Sequence, residues 1–138
     1  MKNIPQIQDK VGCSILYLGY FFSLATFVPI IWLIIANLRK IYLKDFVKYH
    51  CYQAILFNMI IFFFPDFFRL IVSFLSNLLG IFSIFDNSIS LLEYLSKSFL
   101  VIYLYFVQIL SLYAIIWTLR GKYTYIPKIS QAVNYLLR

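Results

Sequence analysis

FVKYHCYQAILFNMIIFFFPDFFRL, residues 46–70, sets His50, Gln53, Asn58, Asp66 and Arg69 into a run otherwise dominated by Ile, Leu and Phe. Pro65-Asp66 is where a helix over this run is expected to end. Proline cannot continue a helix without losing a backbone hydrogen bond, and Asp66 is of a type that caps a new helix, here from Phe67 with Arg69 one turn on. The polar groups are costly against acyl chains, so they are expected to point at other helices or at water.

Composition sets the solvent. Of 138 residues, 63% are hydrophobic and 12% charged, against roughly 25% charged in a soluble domain. A soluble fold of this size exposes too much surface to hide so much Phe, Tyr, Ile and Leu, so an integral membrane protein of a single domain, residues 1–138, is expected. The net charge of +7 lies between the apolar runs. There it faces anionic headgroups and sets topology, and nucleic acid is not expected as a partner. Cys13 and Cys51 have no metal or redox spacing and read as small apolar fillers. MKNIPQIQDKVG is too short and too mixed in charge for a transit peptide, so no processing is expected.

Gaps between formal charges define the spans. Lys10 and Arg39 enclose 28 uncharged residues, and Lys97 and Arg120 enclose 22; both suffice for a hydrocarbon core of roughly 30 Å. Residues 49–65 and 70–85 give shorter gaps of 17 and 16, separated by Pro65-Asp66. The expected fold is all-α: a polytopic bundle of about four transmembrane helices over residues 13–37, 49–64, 67–85 and 98–119, with a tail at 120–138. A kink is expected at Pro29. Alternatively, residues 67–85 form a helix lying in the membrane plane. Two short amphipathic interfacial helices are expected. One carries Lys40, Lys44 and Lys48 at intervals of four opposite Leu43, Phe46 and Val47. The other, over DNSISLLEYLSKSF, has capping-box spacing at Ser90 and Glu93 and an i,i+4 pair of Glu93 with Lys97. Seven basic residues on the side of the termini against five on the other favour termini on the cytosol-like face.

His50 and Gln53 are one turn apart and share a helix face with Phe57. Gln108 sits halfway along the last span and Asn37 closes the first. Such residues serve as interhelical glue, worth roughly 0.6 kcal/mol per hydrogen bond. The other reading is a polar face, formed by His50, Gln53, Asn58 and Gln108 with Lys48 beside it, that meets a partner or a hydrated path. One His without a second ligand or a nucleophile is a poor metal or catalytic site. No GxSxG, HExxH or phosphate loop occurs. No catalytic residue, metal or cofactor is expected. Asp66 and Arg69 alone suggest a local ion pair.

FVKYHCYQAILFNMIIFFFP resembles a segment of the Tic-twenty family, the small inner-envelope subunit of the chloroplast protein-import translocon. The family pattern is aromatic-aliphatic-basic-aromatic-polar-x-x-Gln-Ala before an apolar run ending in Pro. It falls on Phe46, Val47, Lys48, Tyr49, His50, Gln53, Ala54 and Pro65. GKYTYIPKISQAV is similar to the family's tail after the last span, through Gly121, Ile126, Pro127, Ile129, Ser130, Ala132 and Val133. The family often has Asn where His50 stands and an acidic residue where Gln131 stands. The resemblance implies a four-helix, non-enzymatic subunit of a large complex in the plastid inner envelope, with other translocon subunits, transiting preproteins and membrane lipids as partners. A bacterial plasma membrane is the alternative location. A small solute transporter and a scaffold of another membrane complex are the competing functions.

Overall fold

The computed structural model describes residues 5–21, 26–81 and 86–137. Among them there is no strand. The helices are α1 (Ile7–Ile15), a 3-10 helix (Leu16–Tyr20), α2 (Val28–Leu38), α3 (Asp45–Gly80), α4 (Asp86–Leu119) and α5 (Ile129–Leu136). Two of them, over Asp45–Gly80 and Ser88–Leu119, are long and apolar enough to cross a membrane.

The expected first crossing, residues 13–37, is not one helix. Asp9 caps α1 by accepting the Gln6 backbone N–H at 2.8 Å, an acidic group in the first turn where the helix dipole favours it. The same carboxylate accepts the Lys44 ammonium at 2.7 Å. A single helix over the 28 uncharged residues would hold its ends ~42 Å apart. The six steps of chain from Leu38 to Lys44 reach back at most ~20 Å. The stretch is therefore folded back on itself, and Trp32 of α2 lies against Gly12 of α1, where a Cβ would come within 2.8 Å of the ring. Pro29 marks no kink. It sits in the first turn of α2, where its missing N–H would have had no helical partner.

The Asp9–Lys44 pair gives this region a pH dependence. The hydrogen bond from Lys44 holds the Asp9 carboxyl below its ordinary value of 3.8. Its stabilisation is thus present above that value and lost as pH falls through the lower folded value. Asp9→Asn should lower the melting temperature at pH ~7 and make little difference at pH ~2.5, as thermal unfolding of both proteins in detergent will show.

Three further expectations change. The amphipathic helix anticipated from Arg39 begins only at Asp45, because α2 closes with two bonds of a Schellman motif: Ile41 N–H to the Ala36 carbonyl at 2.8 Å and Lys40 N–H to that of Asn37 at 3.1 Å. This puts Lys40 at φ +52°, the position that favours glycine. Lys40→Gly should therefore raise unfolding stability by about 1 kcal/mol, measured as a shift in the thermal midpoint. Next, α3 runs unbroken through Pro65, so Asp66 caps nothing. Proline removes one backbone bond, while the helix-competent runs on either side supply the rest cooperatively. Finally, α4 is continuous from Asp86, and Ser90 and Glu93 lie inside it. No Gly or Pro falls between those residues and Leu119 to stop propagation.

The chain divides into two compact units: Met1–Met59 with Gln108–Arg138, and Ile60–Val107. In the second, the α3 and α4 segments run antiparallel. Phe64 meets Tyr103 at a ring separation of 4.7 Å, Phe68 meets Phe99 at 4.9 Å, and the Tyr103 hydroxyl donates to the Ile60 carbonyl at 3.2 Å. In the first, α4 ends at Leu119 and Gly121 follows two residues on, where its φ of +72° suits the turn beyond a helix C-terminus. The tail beyond it folds back as α5, burying Ile129, Ser130 and Val133. Cys13 and Cys51 are free and buried in this unit.

Candidate functional site

The start of α3 buries one helical face, made of Phe46, Val47, Tyr49, His50, Gln53, Ala54, Phe57 and Asn58. That is the i, i+3, i+4, i+7 pattern of an amphipathic helix. Two polar side chains on it, His50 and Gln53, have no exposed surface, so each must find its hydrogen bonds inside the unit.

Gln53 does so completely. Its Nε2 donates to the Thr124 carbonyl and to Ser130 Oγ, both at 3.0 Å. Its Oε1 accepts the Tyr17 hydroxyl at 2.8 Å. One amide thus ties the 3-10 helix, α3, the tail and α5 together. The tail is shaped to receive it. Tyr49 Oη donates to the same Thr124 carbonyl at 3.0 Å. Ser130 Oγ accepts the Ile126 N–H at 2.8 Å. Between them, Ile129 N–H bonds the Pro127 carbonyl at 2.8 Å, with Lys128 at φ +67° and ψ −51°. This is a γ-turn of the rare, strained hand. It reverses the chain sharply enough to return Ser130 toward Gln53. Thr118 and Thr124 continue the network, their hydroxyls 3.3 Å apart with Thr118 donating to the Ala114 carbonyl at 2.7 Å.

The proton on His50 follows from this arrangement. Both donors of Gln53 are spent on the tail, so its Oε1 needs the single Tyr17 proton. His50 Nδ1, 2.8 Å from the Tyr17 hydroxyl oxygen, therefore carries a hydrogen and donates to it. Nε2 is buried without a hydrogen-bond partner. The ring stands edge-on to Tyr17, Phe46 and Tyr49 and parallel to Tyr123. Among the described residues, no three His, Cys, Asp or Glu side chains are grouped to hold a metal.

The other sequence candidates are dispersed. Asn58 is 4% exposed, but both its amide atoms lack hydrogen-bond partners; it packs against Gly19 and does not act as hydrogen-bonding glue. Gln108 is half-buried on α4. Lys48 lies over the Tyr42 ring, 4.6 Å from its centre. Asp66 and Arg69 pair at 3.7 Å across one exposed turn of the second unit. The expected polar face toward a partner is thus not formed by His50, Gln53 and Asn58, which are enclosed by their own unit. Of the resemblance positions, Phe46, Tyr49, Ala54, Ile126 and Ser130 are buried, while Pro127 and Ala132 are exposed. Tyr17, Tyr123 and Thr124 complete the site and had no sequence signal beyond belonging to apolar or turn-rich stretches.

No family model matches the chain, and neither curated proteins nor solved structures give a match.

Proposed function

We propose that this chain is a membrane subunit of a protein-import translocon of the Tic-twenty type, non-enzymatic, acting in a plastid inner envelope beside other subunits and transiting preproteins. Support comes first from exposure. The most apolar windows of α3 and α4 are each only 17% buried, and Phe63, Phe67, Ile102 and Tyr105 are more than half exposed. The core helix of a water-soluble protein hides such residues; lipid or neighbouring subunits suit them.

The observation that carries the reading is the Gln53–Ser130 bond at 3.0 Å. It joins the two separate segments on which the resemblance rests, residues 46–65 and 121–133. Both patterns would then serve one purpose, clasping the tail onto the entrance of α3. His50 and Gln53 become the clasp, and contact with partners passes to the exposed apolar surfaces.

The topology we propose differs from four crossings. α3 and α4 cross, and α1 and α2 do not. Ten basic residues then fall in the unit containing both termini and two, Arg69 and Lys97, in the other. This asymmetry is steeper than seven to five and supports termini on the cytosol-like or stromal side. Affinity purification in mild detergent tests the function: a very large assembly with import subunits is expected. A small particle stabilised by a solute would instead indicate a transporter. Cysteine labelling at positions 10 and 40 tests the topology. Modification from opposite faces would overturn it.

A further inference from the structure

We infer that the groove between the end of α2 and the start of α3 is a binding site for one anionic phospholipid, its phosphate held at Lys48. The groove encloses about 510 Å³ and is lined by Leu33, Ile34, Asn37, Tyr42, Lys48 and Tyr52, among others. It lies wholly within the unit that contains the termini. Part of its lining is apolar, with Leu33, Ile34 and Ala36 from the last two turns of α2. Part is polar, with the Asn37 amide and two tyrosines. The site thus has the two chemistries of a lipid at headgroup depth, and Tyr is the residue type suited to that depth.

Charge selects the headgroup. No carboxylate lines the groove. Lys44, next to the groove residue Leu43, is taken by Asp9. Lys48 is engaged only over the π-face of Tyr42, which leaves its N–H donors for an acceptor oxygen. Arg39 and Lys40 are exposed at the adjoining turn; of the two acids close in the chain or paired there, Asp9 is taken by Lys44 and Asp45 is exposed. A choline or ethanolamine headgroup would bring a second cation into this positive region; glycerol would not. A free phosphate would find one ammonium in the groove and would leave its apolar lining unfilled, too little to hold it from water.

The inference rests on the membrane reading above and is independent of translocon function. The full chain, purified in neutral detergent, is melted with added phosphatidylglycerol, phosphatidylcholine or inorganic phosphate. Phosphatidylglycerol should raise the midpoint in a saturable way and the other two should not. Lys48→Met should weaken apparent affinity about five-fold, while Lys97→Met leaves it unchanged. Equal stabilisation by phosphatidylcholine, reproduction by phosphate alone, or an unaltered response in Lys48→Met would overturn the proposal. If Lys48→Met does not fold, the comparison of the three additives on the wild type decides by itself. A chain that stays dispersed without detergent would instead refute the membrane reading, and would do so before any lipid is added.

Discussion

Gln53→Leu is expected to release the C-terminal tail while leaving α3 and α4 helical. The substitution keeps most of the side-chain volume, so cavity formation is a small part of its effect. It removes three buried hydrogen bonds, to Tyr17, Thr124 and Ser130. None of these partners is wholly orphaned: Tyr17 retains His50, Thr124 retains Tyr49, and Ser130 retains the Ile126 N–H. The loss per bond therefore sits nearer the ~0.6 kcal/mol seen between membrane helices than the ~1–3 kcal/mol of an abandoned buried group. About 2 kcal/mol in total is expected. Because Gln53 is the residue that bridges the tail to both α3 and the 3-10 helix, the loss should appear as local opening. Trypsin cleavage at Lys122 and Lys128, both exposed, should accelerate by roughly 30-fold when opening limits the population cut. The helical circular dichroism should hardly move. An unchanged cleavage rate would mean that the clasp does not hold the tail.

Gly19→Val is expected to destabilise the first unit by about 2 kcal/mol through overpacking. Gly19 is buried in the 3-10 helix, and a Cβ there would lie 2.8 Å from Asn58 Oδ1 and 2.9 Å from Nδ2. The obstacle is a short amide on a packed face of α3, so it has little room to swing aside. Nor does the amide have hydrogen bonds of its own to lose, which leaves sterics as the whole effect. That makes the cause separable. In an Asn58→Ala background the valine should cost much less, and the coupling in the double-mutant cycle should approach the full effect of the single change. Additive losses would place the clash elsewhere.

These two sites mark what local pattern can and cannot convey. The buried face of α3 was readable, because Phe46, His50, Gln53 and Phe57 recur at helical spacing. Its partners were not. Tyr17 and Ser130 lie 36 and 77 residues from Gln53, and nothing in an apolar run or a turn-rich tail says which hydroxyl will return to which amide. Pro65 shows the converse failure. A reliable local rule called for a break, yet the loss of one backbone bond did not outweigh the cooperative helix on both sides.

Hydropathy fails in a third way at residues 13–37. It measures how far an apolar stretch can reach, not which direction it takes. The Asp9–Lys44 pair and the contact of Trp32 with Gly12 reveal that α2 returns to α1.

By itself, then, the sequence determined an all-helical chain, its apolar windows, and a basic flank around them, because each depends on residue type and short-range period. Only the tertiary structure decided that the polar residues face inward, that the tail is clasped to α3, and that the N-terminal stretch doubles back. Those outcomes depend on hydrogen bonds and close contacts between segments far apart in the chain, which no local free energy encodes.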